Sequence, residues 1–229
     1  MKLNDLAQKV DLAFKDNNLI QQAFIHRSYL NENKEFASSN ERLEFLGDSI
    51  LSLLVSEYLF KEYPDFSEGQ LTNLRSSVVK TTTLAQIAKE LRLGGLLLLS
   101  HGEEEGGGRQ NTSILADTFE AFLGAVFLDQ GLLSAKKILS VFLFPLLTNI
   151  LRDKKYKDAK SEFQEIVQED KKVSPVYKVL DQKGPDHAKE FTIGVYVENI
   201  LYGTGQGKSK QEGEMKAAEE ALNKWQAKK

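Results

Sequence analysis

The stretch Asn40–Leu51 reads NERLEFLGDSIL, and its reading decides the fold. A helix turns about 100° per residue, so Glu41 to Glu44 is about 300° and Glu41 to Asp48 about 700°, only about 20° short of two turns. The three acids therefore form one stripe. Leu43, Leu46 and Ile50 form another, roughly opposite, and Phe45, Leu51 and Leu54 fill most of what remains. A helix of this kind is largely buried. Gly47 sits in its middle at a cost of about 1 kcal/mol relative to Ala, which points to a close backbone approach there.

A second stretch repeats the pattern. Ser113–Leu128 reads SILADTFEAFLGAVFL, and its only charges are Asp117 and Glu120. Three residues apart, they share a face. An unpaired carboxylate in so apolar a run is expensive, so an Arg or Lys, a proton or a cation must compensate. Arg42 and Arg75 are candidate bases for that role. If the two stripes meet, four or five carboxylates converge, which suits hard divalent cations with oxygen ligands. A single acid stripe is ordinarily a solvated helix face; two, one of them in an apolar run, favour a metal site.

The remaining features bound the class. The chain has 229 residues, 41% hydrophobic and 28% charged, with no cysteine. A disulfide framework and a cysteine zinc site are therefore excluded. The start, MKLNDLAQKVDLAF, lacks the apolar core of a signal peptide, and no window has the length and apolarity of a membrane span. A cytoplasmic protein with no membrane association is expected. Residues 1–151 hold 14 Lys+Arg against 19 Asp+Glu, net −5, and residues 152–229 hold 16 against 14, net +2. No two histidines have zinc-ligand spacing, and His26 in its apolar stretch reads as a structural hydrogen-bonding residue. Gly106–Gly108 lacks the Lys-Ser/Thr of a phosphate-binding loop and reads as a turn.

Residues 3 to about 150 show helical periodicity without β-runs. Breaks are expected at Asn31–Asn40, Tyr63–Asp65, Leu93–Gly95 and Gly102–Asn111. Ser67 with Gln70 forms a capping-box pattern, and Asn40 is a candidate cap for the opening stretch. The segment RDKKYKDAK, Arg152–Lys160, reads as a linker. Beyond it, SEFQEIVQED reads as a helix, then PVYKVLDQ, EFTIGVYVE and NILYGTG as strands, and Ser209–Trp225 as a helix. The expected architecture is multidomain. An all-α domain at 1–151 and a linker at 152–158 precede a small α+β (α-β-β-β-α) domain at 159–229.

Five stretches, QAFIHRSY (Gln22–Tyr29), ERLEFLGDSIL (Glu41–Leu51), SEGQLTNLRSSVV (Ser67–Val79), HGEEEGGGR (His101–Arg109) and SILADTFEAFLGAVFLD (Ser113–Asp129), resemble the ribonuclease III family in order and spacing. The C-terminal segment resembles that family's double-stranded-RNA-binding domain. The resemblance implies a homodimeric, Mg²⁺-dependent endonuclease of double-stranded RNA, with Mn²⁺ as a possible substitute and no small-molecule cofactor. It implies 5′-phosphate and 3′-hydroxyl ends, and roles in processing rRNA precursors and mRNA. By position, Glu44, Asp48, Asp117 and Glu120 match the family's metal-binding acids, with Asp48 and Glu120 the catalytic pair. Glu41 and Glu68 match supporting acids, and Glu103 and Glu104 lie in a loop that carries another acid in relatives.

A-form RNA is read through shape, 2′-hydroxyls and phosphates. Gln164, Glu165 and Gln168 on the first helix of the C-terminal domain suit 2′-hydroxyls. The turn GPDH, Gly184–His187, resembles the family's minor-groove loop with His187 near its tip. Lys208 and Lys210 at a helix start suit phosphate. Gln211, Gly213 and Asn73 depart from residues common in relatives, which bears on affinity. Two other readings are a duplex-RNA-binding protein whose body only dimerises, and a metal-dependent hydrolase of another phosphate substrate. The six retained acids weigh against the first and the C-terminal domain against the second.

Overall fold

The computed structural model describes residues 2–152, 159–185 and 189–226. The chain divides into two compact units, Met1–Tyr156 and Lys157–Lys229.

The described residues of the first unit are mainly helical: α1 (Leu3–Val10), α2 (Asn17–Gln22), α3 (Tyr29–Glu32), α4 (Glu41–Glu62), α5 (Glu68–Val78), α6 (Thr81–Glu90), α7 (His101–Glu105), α8 (Thr112–Gln130), α9 (Leu132–Phe142) and α10 (Phe144–Arg152). Local chemistry sets several starts. Ser67 Oγ accepts from the Gln70 N–H at 3.3 Å and Gln70 Oε1 accepts from the Ser67 N–H at 3.0 Å, closing the expected capping box on α5. Asn111 Oδ1 opens α8 by accepting from the N–H groups of Ser113 and Ile114.

The core is built where α8 runs through the centre. Leu115, Phe119, Phe122, Leu123 and Val126 of α8 are buried together with Leu51, Leu54 and Val55 of α4, Leu74 of α5 and Ile87 of α6. A helix this apolar on every side has no solvent face, and other helices surround it. The α4–α8 crossing is closest at two glycines. A Cβ on Gly47 would fall inside the van der Waals shell of the Glu120 carbonyl, and one on Gly124 inside that of the Leu43 carbonyl. The close approach expected at Gly47 is real, and it brings the two acid stripes onto adjoining backbone.

Two local expectations need correction. Asn40 stands at the start of α4, but its side chain caps nothing. It is buried, its Nδ2 donates to the Ala23 carbonyl, and its own N–H donates to the Ile25 carbonyl at 2.8 Å. Tertiary partners outcompete the local cap, and Asn40 ties α4 to the segment after α2. The break expected over Gly102–Asn111 is partly helical. Ser100 Oγ accepts from the Glu103 N–H and opens the short α7, and the loop then turns through Gly107 at φ 81°.

The second unit contains α11 (Ala159–Lys171), β1 (Val176–Lys183), β2 (Glu190–Val197), β3 (Ile200–Gly207) and α12 (Lys210–Gln226). The sheet is antiparallel in the order β1-β2-β3. Glu198 and Asn199, both at positive φ, make the tight turn that a two-residue hairpin requires. Ile193, Val195 and Val197 pack with Phe163 and Val167 of α11 and Ala217, Ala221 and Trp225 of α12. Trp225 Nε1 donates to Asp170 at 2.9 Å, so the buried indole keeps its hydrogen bond. Gly213 has a packing reason, because a Cβ there would press on Ile193 Cγ1 at 2.6 Å. Of the expected linker Arg152–Lys160, Arg152 ends α10 and Ala159 and Lys160 open α11; the rest lies outside the described residues.

Candidate metal centre and nucleic-acid interface

Glu44 from α4 and Asp117 and Glu120 from α8 each offer a carboxylate oxygen, all within 4.8 Å of one another. All three are half-buried. Among the described residues, no Lys or Arg forms an ion pair with any of them. Arg75, one of the two candidate partners, instead donates to Ser56 Oγ at 2.9 Å, and Arg42 is exposed.

The uncompensated charge shows in the acids' proton affinities. Burial, then the charges of Asp48, Asp117 and Glu44, pushes the Glu120 carboxyl up to about 8. Burial chiefly, then Asp117, Glu41 and Asp48, raises Glu44; the Arg27 charge opposes this. Burial raises Asp117, with the His26 charge opposing. A divalent cation at these acids would offset the mutual repulsion that adds to burial in raising their proton affinities, and would have to compete with protons to do so.

Asp48 is exposed and stands beside the trio rather than within it, close enough for its charge to act on Glu120. Glu41 accepts from Ser39 Oγ at 2.9 Å and faces Arg27 at 3.8 Å, on the rim. Glu68 opens α5, accepts from Thr72 Oγ1, and lies outside the cluster. Glu104 is committed elsewhere. Arg109 donates to it through Nε at 2.7 Å and Nη2 at 3.0 Å, while Nη1 donates to the carbonyls of Gly94 and Leu97. That fork pins the loop before α8. His26 Nδ1 accepts from the Ser28 N–H and sits 2.8 Å from Ser28 Oγ, as a structural histidine should. Its electrostatic reach to Asp117 was not legible in sequence, where His26 is one of several polar residues in QAFIHRSY.

On the second unit, Gln164 and Gln168 are exposed one helical turn apart, with Gln168 Nε2 donating to Ser174 Oγ at 3.1 Å, and Glu165 is half-buried. Lys208 and Lys210 are exposed at the start of α12, and Lys210 Nζ lies 6.0 Å from the centre of the Phe191 ring. Glu212 already receives the Lys208 N–H at 2.8 Å, so a phosphate there competes with a resident carboxylate. His187 lies outside the described residues.

The two units together define a class: a helical body presenting uncompensated acids, and an α-β-β-β-α module. Family models agree with that division, a ribonuclease-III-like model matching residues 16–147 and a double-stranded RNA binding motif matching 159–225. The chain is 46% identical to a Ribonuclease 3 of Pelotomaculum thermopropionicum, over 97% of this chain and 93% of that protein. It is 47% identical to a Ribonuclease 3 of Bacillus cereus, over 95% of this chain and 89% of that one. The solved nuclease domain of a Campylobacter jejuni ribonuclease III matches 63% of the chain and 99% of itself, at 41% identity and TM-score 0.58. This chain belongs to the ribonuclease III family.

Proposed function

We propose that the protein is an endoribonuclease that hydrolyses double-stranded RNA with Mg²⁺ or Mn²⁺, leaving 5′-phosphate and 3′-hydroxyl ends, and works in the cytoplasm on rRNA precursors and mRNA. The observation that carries this reading is the convergence of Glu44, Asp117 and Glu120, with which no Lys or Arg among the described residues forms an ion pair. An all-carboxylate donor set fits a hard cation with oxygen ligands. Glu44, Asp48, Asp117 and Glu120 would hold it, and when bound it stabilises charge on the phosphate and lowers the pKa of water. The rigid α8 fixes Asp117 and Glu120, and the glycine crossing fixes Glu44 against them. Glu41 and Glu68 are supporting acids outside the trio.

Gln164, Glu165, Gln168, His187, Lys208 and Lys210 would hold the duplex, the amides and Glu165 toward 2′-hydroxyls and the lysines toward phosphate. Replacing either Lys208 or Lys210 with Ala should lower the slope of log affinity against log salt by about 0.9. Filter binding over a salt series, in chelator, checks this; an unchanged slope removes those lysines from the interface.

Duplex RNA, matched single-stranded RNA and duplex DNA, each with Mg²⁺ or chelator, test the activity. Cutting of duplex RNA alone, and only with metal, is expected. Binding of duplex RNA without cutting would favour a purely binding protein.

The reading includes a homodimer. Phe45, Leu53 and Phe60 of α4 are 78%, 57% and 73% exposed and fall within about 80° of one another around the helix. A stripe of large apolar side chains on this scale marks an interaction surface. Phe45→Asp should convert dimer to monomer at micromolar concentration by sedimentation, with the fold retained by circular dichroism. A parent protein that sediments as a monomer would remove this part of the reading.

A further inference from the structure

The first unit holds a polar concavity that none of the clustered acids lines. A cavity of about 430 Å³ is lined by Lys9, Lys89, Arg92, Arg109, Asp5 and the buried Leu115, among others. Leu115 is about 200° around α8 from Asp117 and about 140° from Glu120, and no acid of the cluster lines the cavity. Four cations against one lining acid is a marked local excess in a body whose net charge is −5.

The four cations differ in how they are held. Lys9 Nζ donates to the Glu90 carbonyl at 2.9 Å, at the C-terminal end of α6. Arg109 is fixed by two carbonyls and by Glu104, which does not line the cavity. Lys89 and Arg92 are exposed, and their side chains have no hydrogen-bond or ion-pair partner among the described residues. Arg92 also sits at φ 60°, ψ 35°, the left-handed conformation just past α6. Asp11 after α1 and Lys172 after α11 take the same positive φ, so this is how several helices of the chain end. From that position Arg92 lines the cavity.

We propose that this cavity binds a small polyphosphate anion, free or carried by a nucleotide. The volume lies in the range of small-ligand sites. Lys89 and Arg92 supply the charge-assisted donors that match phosphate oxygens, Lys9 and Arg109 make the walls, and Leu115 gives the site an apolar floor. Duplex RNA is the alternative polyanion for these cations, and the titrations below separate the two. The site is independent of the nuclease reading.

Isothermal titration of the full chain, in chelator so that no cation bridges phosphate to the acid cluster, tests the proposal. The probes are ATP, pyrophosphate and adenosine. ATP and pyrophosphate should bind and adenosine should not. The double variant Lys89→Ala, Arg92→Gly should weaken ATP binding by about tenfold or more. Arg92→Gly alone should leave the melting temperature equal or higher, because glycine relieves the left-handed backbone; a purely structural arginine would lower it. No phosphate binding at millimolar concentration, adenosine binding as well as ATP, or an unaffected double variant would each overturn the proposal. So would loss of duplex-RNA affinity in the double variant with no nucleotide bound to the parent, which would make the surface an RNA contact.

Discussion

Replacing Glu120 by Gln should abolish RNA cleavage and yet make the metal-free protein more stable in alkali. The Glu120 carboxyl is pushed up from its ordinary value of 4.5 to about 8, by burial first and then by Asp48, Asp117 and Glu44. Between those two values the native state holds a proton that the unfolded chain has released. Stability conferred by that proton is full below about pH 4.5 and is lost as pH rises through about 8. Gln resembles the protonated acid and cannot ionise, so parent and variant should coincide at low pH and separate fully above about pH 8. Glu120 is partly exposed, and screening holds the gap to about 1–2 kcal/mol. Thermal melts in chelator at pH 4.5 and pH 9 measure it; a variant less stable than the parent at pH 9 would defeat the argument. The same carboxylate is the centre of the proposed metal site, so cleavage with Mg²⁺ should fall by about 10³-fold or more, while duplex binding in chelator stays unchanged. Cation binding must displace the proton. The parent's affinity for Mg²⁺ should therefore climb between about pH 6 and 8 with measurable proton release, and the variant should show neither.

What could be read in the sequence was what depends on local spacing. The acid stripes of α4 and α8, the capping box at Ser67, the glycine approach at Gly47 and the three strands of the second unit all follow from periodicity or turn chemistry within a few residues. What could not be read depends on partners far along the chain. Asn40 has the composition of a cap, but Ala23 and Ile25 claim it. Arg75 is a candidate partner for the acids by charge and is turned to Ser56 instead. Glu104 looks like a further site acid until Arg109 folds onto it. The cavity brings Lys9 of α1 beside Lys89 and Arg92 at the end of α6, a meeting that no local spacing shows. Of the proposed site, the meeting of Glu44 with Asp117 and Glu120 was legible as two acid stripes able to face each other. The division into a half-buried trio, an adjacent Asp48 and a detached Glu68 belongs to the packing.

Gly47→Ala should destabilise the first unit by about 3 kcal/mol or more, although the same exchange in an exposed helix interior stabilises by about 1 kcal/mol. The added Cβ would meet the carbonyl oxygen and carbon of Glu120 and the Gly124 nitrogen, all backbone atoms. A side chain in the way can rotate aside, but here one of two helices must move. Those helices carry Leu51, Leu54, Phe119 and Phe122, all fully buried, so separating them opens the centre of the core and weakens dispersion attraction along the whole crossing. The displacement also falls on the residue whose carboxylate completes the trio. Cleavage should therefore drop more steeply with Gly47→Ala than stability alone requires, even at temperatures where the variant remains folded. Gly102→Ala is the control. It lies in α7 with nothing within 4 Å of the added Cβ, and its melting temperature should be unchanged or slightly raised. Denaturant unfolding of both variants decides the matter. A Gly47→Ala protein as stable as the parent would mean that α4 and α8 can part without cost, and the rigid placement of Glu44 against Glu120 would lose its physical basis.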